Sequence, residues 1–484
     1  MSAVTTAAAS GAPPSTAPQS RRWWALAAVA TGQLMIAADA TIMNISLPTV
    51  QHALQLSAAE RQWVITSFAL CYGGLLLLGG RLSQLLGRKT CLLAGLAGFA
   101  VASVLGGLAV NPAMILTSRA LQGVFGALFT PSVLALLGTK FTAPADRAKA
   151  FGVYGTVMGS SSGVGLILGG ILTDYAGWRW SLLVSVPLAA LAAIGVIVAV
   201  SHDPRQPDTR VDVAGAVLAT AGLMASVFGF SQAETEGWTA PATLGGLAAG
   251  LTLLALFVWR QSHTAHALLP MRVVLDRRRG GAYLATFSMA IGNFAAFFFL
   301  TFHLQTVLGY PPVKAGLAFL PYTAAIVLGV RIARRFIATA PVRLLLAPGL
   351  LFTAAGLALL GQLHTNSGYA THLLPVVVLL GLGNAWVLVP ANSTATQGAG
   401  PDAGVAGATV MTSMQIGSSV GIALLGSVAG TVADAFQRAH AATADLAREA
   451  SVHGYAVASL AAAAFLCAAA AAVYLVIGTD KRRA

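Results

Sequence analysis

Asp39 is a carboxylate inside an apolar run extending from about residue 23 to 47, and no other acid falls within a comparable run. An ionisable group in hydrocarbon carries a heavy desolvation penalty, so its presence there marks function by default. The chemistry that suits it is reversible protonation, because a carboxylate alternately dry and hydrated has its pKa carried across neutrality. The competing structural role is to satisfy backbone groups freed before Pro48. Asn would do that without the charge, so the functional reading is favoured. Arg119 is a basic residue in the interior of such a run, about 113–138. At a rise of about 1.5 Å per residue it lies roughly 12 Å from the outer end of its helix, and Asp39 roughly 13 Å from the outer end of its own. Equal depth allows an ion pair, although snorkelling of Arg119 to the interface competes with it.

The elements that hold these groups are membrane helices. Of 484 residues 57% are hydrophobic and 9% charged, and a bilayer core about 30 Å thick needs about 20 apolar residues per span. Fourteen such runs are read, at about 23–47, 62–80, 90–109, 113–138, 150–172, 181–200, 213–231, 241–259, 282–307, 315–333, 344–361, 371–391, 404–430 and 454–477. The expected fold is an all-α membrane protein of fourteen transmembrane helices. The first 20 residues are polar and rich in Ala, Ser, Thr and Pro, the composition of a disordered tail. Ser20-Arg21-Arg22 before an apolar run imitates a twin-arginine signal. The run is too long for one, and further spans follow.

Charge sets the expected orientation. With the N-terminus cytoplasmic, 22 of the 28 Lys and Arg fall inside and five outside, while the acids divide evenly, seven and seven. That asymmetry places both termini in the cytoplasm of a cell-membrane protein. The net charge of +13 is then a topology signal, with no message about nucleic acid, since the basic residues are scattered over short loops. Cys71, Cys91 and Cys467 lie in or beside apolar runs and have no metal-ligand or disulfide spacing.

Two stretches echo each other. Pro144-Ala145-Asp146 leads to Gly159-Ser160-Ser161-Ser162-Gly163-Val164-Gly165, and Pro401-Asp402 leads to Gly417-Ser418-Ser419-Val420-Gly421. Gln122-Gly123 through Pro131 likewise resembles Gly381-Leu382-Gly383 through Pro390. The partners stand eight spans apart, which predicts two six-helix halves (23–200 and 282–477) around an inserted hairpin with its linkers (201–281). A cytoplasmic tail at each end (1–22 and 478–484) completes the division. Duplicated halves with a site between them near the midplane are the architecture of secondary transporters.

These residues carry a family resemblance. Asp39-Ala40-Thr41-Ile42-Met43-Asn44-Ile45-Ser46-Leu47-Pro48 resembles the D-x-T-I-V-N-V-A-L-P signature of the fourteen-helix drug:proton antiporters, the EmrB/QacA-like branch of the major facilitator superfamily. The stretch from Gly80 through Gln84 to Gly87-Arg88-Lys89 is similar to the superfamily loop motif G-x-L-x-D-x-x-G-R-K, and Arg119-Ala120-Leu121-Gln122-Gly123 to R-x-x-Q-G. Gly165-Leu166-Ile167-Leu168-Gly169-Gly170 resembles the antiporter motif G-P-x-L-G-G. Trp178-Arg179-Trp180 to Pro187 and Gly309-Tyr310-Pro311 to Pro321 are similar to further family blocks, so the likeness runs from about residue 23 to 477. Three positions depart from the pattern. Gln84 replaces the motif Asp, Leu166 replaces a helix-bending Pro, and Ser185 replaces Asn.

The resemblance implies proton-coupled efflux of amphipathic drug or antibiotic molecules by alternating access, with Asp39 and Arg119 side by side. Gln33, Asn44, Gln122, Asn293, Phe298, His303, Asn384 and Gln415 are the cavity candidates. Phe287, Phe294, Phe298 and Phe302 share one helical face, where packing or lipid contact is the commoner role, and His303 suits an interface better than a relay. Gly163, Gly165, Gly169 and Gly170 permit close helix approach. The Gly159-to-Gly163 match to a nucleophile elbow fails, because an elbow needs a strand–turn–helix. No Walker A or cofactor fingerprint occurs, so protons and the small-molecule substrate are the expected partners in the bilayer, with no obligatory protein partner. Metabolite transport is the runner-up; a membrane-embedded enzyme or receptor is disfavoured.

Overall fold

The computed structural model describes residues 19–141, 143–201, 212–264, 267–269, 271–337, 340–364, 367–397, 403–440 and 445–478. The predicted tails lie largely outside these residues, but Gln19 to Arg22 begin a helix instead of belonging to a tail.

The long helices are α1 (Gln19–Leu54), α2 (Ala58–Leu86), α3 (Arg88–Gly107), α4 (Pro112–Lys140), α5 (Pro144–Ile171), α6 (Trp180–Ala199), α7 (Val213–Thr235) and α8 (Pro241–His263). They continue with α9 (Arg277–Val307), α10 (Pro312–Ala318 continued as Leu320–Ile337), α11 (Arg343–Leu360), α12 (Tyr369–Thr396), α13 (Ala403–Ala439) and α14 (Leu446–Ile477). Short polar caps set several starts. Ser57 and Glu60 form a reciprocal capping box on α2, Asn111 accepts from the Met114 N–H before Pro112, and Asp276 accepts from the Arg279 N–H.

Among the described residues, twelve helices are long and apolar enough to cross a membrane, against the fourteen expected from the sequence. The two outside that set, α2 and α5, are helices of 29 and 28 residues packed within the same bundle. The molecule is all-helical and of membrane type.

Packing repeats with a period of eight helices. In the first group α2 and α3 pack on α4, α5 and α6 pack on α1, and α3 packs on α6. The same five pairings recur as α10 and α11 on α12, α13 and α14 on α9, and α11 on α14. Two seams join the groups, α2 with α13 and α5 with α10. The α7–α8 hairpin lies on the first seam, where Leu223 and Val227 form a small apolar cluster with Leu70 of α2 and Ala423 of α13.

A polar clasp closes the base of that hairpin. Asp212 caps α7 at the Gly215 N–H (2.9 Å), and accepts from Arg260 Nε (2.7 Å) and Gln261 Nε2 (2.8 Å) of α8. Burial alone would raise its pKa, but these donors outweigh burial and hold the carboxyl below its ordinary value. It is therefore ionised at neutral pH.

Candidate functional site

The α1 and α4 helices bring Asp39 and Arg119 together in a dry site. Arg119 Nη1 lies 2.5 Å from Asp39 Oδ2, with the two side chains 0% and 1% exposed. The ion pair drawn from equal depth is thus present in the folded protein. Gln122, one turn beyond Arg119, sits inside the pair and not in a separate cavity wall. Its Oε1 accepts from Arg119 Nη1 (2.5 Å), and its Nε2 donates to Asp39 Oδ1 (3.2 Å) and Ser103 Oγ (2.8 Å). The guanidinium also grips α2, donating from Nε to the Val64 carbonyl (3.0 Å) and lying 4.6 Å above the Phe68 ring. Its Nη2 is buried with no hydrogen-bond partner among the described residues.

This arrangement has two chemical states. Ionised, Asp39 neutralises Arg119 within charge-assisted hydrogen bonds. Protonated, it withdraws that compensation and leaves a buried cation held by an amide, a carbonyl and an aromatic face. A buried charge stripped of its partner is strongly unfavourable, so protonation favours any rearrangement that rehydrates Arg119.

The glycines of α5 set the position of α1. A Cβ at Gly165 would overlap the Thr41 hydroxyl and the Ala38 carbonyl, and one at Gly169 would press on Ile42 Cα. Gly170 approaches Val313 of α10, Gly163 approaches Thr323 of α10, and buried Leu166 presents its carbonyl to Gly316. Gly165→Val is therefore expected to push α1 off α5 and cost about 1–3 kcal/mol or more. A lowered thermal transition of the purified protein checks this; an unchanged transition contradicts it.

In the loop motif, Gly87 joins α2 to α3 at φ 89°, a backbone region costly for any residue with a side chain. Arg88 Nη1 donates to Thr139 Oγ1 (2.5 Å), tying α3 to the end of α4. Gly80 packs near Pro131. The Gln84 side chain, expected at a latch, lies outside the described residues.

The two groups of helices also meet at the end of the bundle remote from Gln19 and Ile477. There one face of α9 touches α1 and α2. Thr301 Oγ1 donates to Asn44 Oδ1 (2.5 Å) and Gln305 Nε2 to the Ile45 carbonyl (2.8 Å). Arg61 of α2 lies 4.9 Å from the Phe298 ring centre and 4.2 Å from that of Phe302. Phe298, Thr301, Phe302 and Gln305 follow helical spacing, so one stripe of α9 forms a closed contact. Cation–π contacts are worth about 0.5–2 kcal/mol, so Arg61→Ala is expected to raise the population open at this end by roughly three- to thirtyfold. Distances between spin labels at the exposed positions His52 and Thr306 would report it. An unchanged distribution removes Arg61 from the contact.

Other cavity candidates are dispersed. Gln33 is buried on α1 beside Tyr72, whose hydroxyl donates to Thr130 (2.9 Å). Gln415 of α13 packs against Gly73 at the seam with α2. His303 stands in a π-helical turn and borders a small cavity with Phe299, Leu360, Leu363, Val452 and Tyr455, among α9, α11 and α14. Asn293 and Asn384 meet around Met289 and Tyr322. Sequence reading did not single out Val64, Phe68, Ser103, Thr301 or Tyr322 for the site. Each is an ordinary residue of an apolar helix, and only its placement beside a distant partner distinguishes it.

Comparison with known proteins follows the same lines. A sequence profile described as Major Facilitator Superfamily matches residues 29–422. The puromycin resistance protein pur8 of Streptomyces alboniger is 42% identical over 445 residues, covering 91% of this chain and 88% of that protein. The tetracenomycin C resistance and export protein of Streptomyces glaucescens is 36% identical over 431 residues, covering 87% and 79%. The multidrug efflux pump LfrA of Mycolicibacterium smegmatis is 33% identical over 425 residues, covering 86% and 83%. Among solved structures, an inward-facing bacterial homologue of the human lysosomal transporter Spinster aligns with TM-score 0.65 at 16% identity, covering 95% of this chain and 98% of that one. An auto-inhibited POT family peptide transporter aligns with TM-score 0.66 at 15% identity, covering 95% and 98%.

Proposed function

Since the chain belongs to the major facilitator superfamily, we propose that it exports drug-like or antibiotic small molecules across the cell membrane in exchange for protons. Relatives whose names specify antibiotic resistance, export and multidrug efflux support the cargo class. The observation that carries the mechanism is the buried Asp39–Arg119–Gln122 cluster. It offers a titratable group whose two states differ in what they demand of neighbouring helices.

On this reading α2 and α5 also span the bilayer, making fourteen spans as in the EmrB/QacA-like branch. Their lengths, about 40 Å each at 1.5 Å per residue, and their places between spanning helices support it. The repeated pairings support two six-helix halves that rock about the two seams, with the α7–α8 hairpin clasped onto one. The Lys- and Arg-rich loops favour a cytoplasmic face at the Gln19 end. The α9 contact with Asn44 and Arg61 is then the closed external side.

One proton moving through 100 mV contributes about 2.3 kcal/mol, enough to hold roughly a fiftyfold gradient of a neutral substrate. A single intramembrane carboxylate already engaged with Arg119 leaves no partner for a second positive charge, so substrates are neutral, anionic or singly charged amphipathic molecules. Puromycin uptake into inverted vesicles tests the proposal. Accumulation that requires an imposed proton gradient and collapses with a protonophore is expected. Accumulation indifferent to the gradient, or movement only in the opposite direction, supports metabolite transport or diffusion instead.

A further inference from the structure

Across the bundle from the charged cluster lies a neutral one. Asn293 of α9 is 2% exposed, and its Nδ2 donates to the Tyr322 hydroxyl of α10 (2.9 Å). Asn384 of α12, half-buried, brings its Nδ2 to 3.8 Å from Met289 Sδ, as does Asn293. The Tyr322 hydroxyl also reaches Asn384. Beside the amides stands an aromatic shelf. Phe297 meets the Tyr322 ring edge-on at 4.6 Å and stacks on Phe319 at 4.7 Å. The Asn293 Oδ1 is buried without a hydrogen-bond partner among the described residues. Buried acceptors are nearly always paired, so an open one is an available position for a donor.

The cluster occupies a definite place in the repeat. Gly123 of α4 lies against the Phe68 carbonyl of α2, and Gly381 of α12 lies against the Tyr322 carbonyl of α10. Phe68 and Tyr322 are therefore counterparts by contact. In one group the aromatic residue carries the Arg119 guanidinium; in the other it carries the Asn293 amide. Taking the Asn44–Thr301 contact as a common level, Asp39 lies about 7.5 Å and Asn293 about 12 Å further in along their helices. The neutral cluster thus stands nearly one helical turn deeper than the charge, in the opposite group.

We propose that Asn293, Tyr322 and Asn384, with the Phe297 ring, form a substrate-recognition site for an uncharged aromatic group bearing a hydrogen-bond donor. The donor completes Asn293 Oδ1 while the ring packs on Phe297 and Tyr322. No residue of the cluster carries a charge, so the site selects the neutral end of an amphipathic molecule and leaves proton handling to Asp39. This assignment rests on the exporter reading above and names the substrate class for it.

The test measures export of tetracenomycin C, whose rings bear hydroxyl donors, and of puromycin, whose purine and methoxyphenyl rings bear none, in inverted vesicles for wild type, Asn293→Leu, Tyr322→Phe, Asn293→Gln and Asp39→Asn. Loss of the Asn293 acceptor is expected to raise the KM for tetracenomycin C roughly three- to tenfold in Asn293→Leu, and Tyr322→Phe raises it within the same range by freeing the Asn293 amide that the hydroxyl orients. kcat and its pH dependence stay at wild-type values, a split that general structural damage does not produce, and Asn293→Gln retains part of the affinity. An unchanged KM in both variants overturns the site, as does a fall in kcat alone. If Asp39→Asn still exports uphill while Asn293→Leu raises KM, the proton assignment fails and the recognition site stands. Wild-type protein that exports neither compound overturns the exporter reading and the site with it.

Discussion

Asp39→Asn is expected to abolish uphill export while leaving a folded protein that still binds substrate. Asn retains an oxygen that accepts from Arg119 Nη1, and the Val64 carbonyl and Phe68 ring continue to hold the guanidinium. What disappears is titration. A gradient of roughly fiftyfold, the most one proton sustains for a neutral substrate at 100 mV, falls to equality across the membrane. Vesicle accumulation ratios measure this directly. A variant that still concentrates puromycin places proton coupling on another group.

Arg119→Ala carries the largest expected loss of stability. Removing the guanidinium leaves the Asp39 carboxylate in a site 1% exposed, with Gln122 as its remaining donor. Breaking a buried pair from one side costs about 3–5 kcal/mol, because the other charge stays uncompensated. The cost should fall in the double variant Asp39→Asn with Arg119→Ala, which buries no charge at all. Denaturant or thermal stability of the four proteins in detergent forms the cycle. Simple additivity of the two losses would show that the pair is not energetically coupled.

The charged pair of this site is legible in the sequence, for a physical reason. Charge in hydrocarbon is rare enough that Asp39 and Arg119 stood out by type alone, and helical rise sufficed to put them at one depth. The echoing Gly- and Pro-containing stretches stand eight spans apart, and helix pairings recur at the same interval of eight. What stayed hidden depends on contacts between distant elements. Gln122 was read as cavity lining, yet its two amide atoms address Arg119 and Asp39 separately. Arg61 belongs to the first turn of α2 and looks like an ordinary interfacial cation, until α9 sets Phe298 and Phe302 beneath it. Tyr322 is one aromatic residue among many, and only the Asn293 amide marks it. His303 was read as a cavity residue, whereas its small cavity lies among α9, α11 and α14.

Exchange of protons for substrate through Asp39 is tested most directly by following proton movement during export. Inverted vesicles holding an imposed proton gradient, acidic inside, and an internal pH indicator are given puromycin. Proton efflux that depends on puromycin, beyond that of protein-free vesicles, is predicted for the wild type and not for Asp39→Asn. Equal proton efflux from both proteins, or puromycin accumulation by the wild type with no proton movement, would contradict the account.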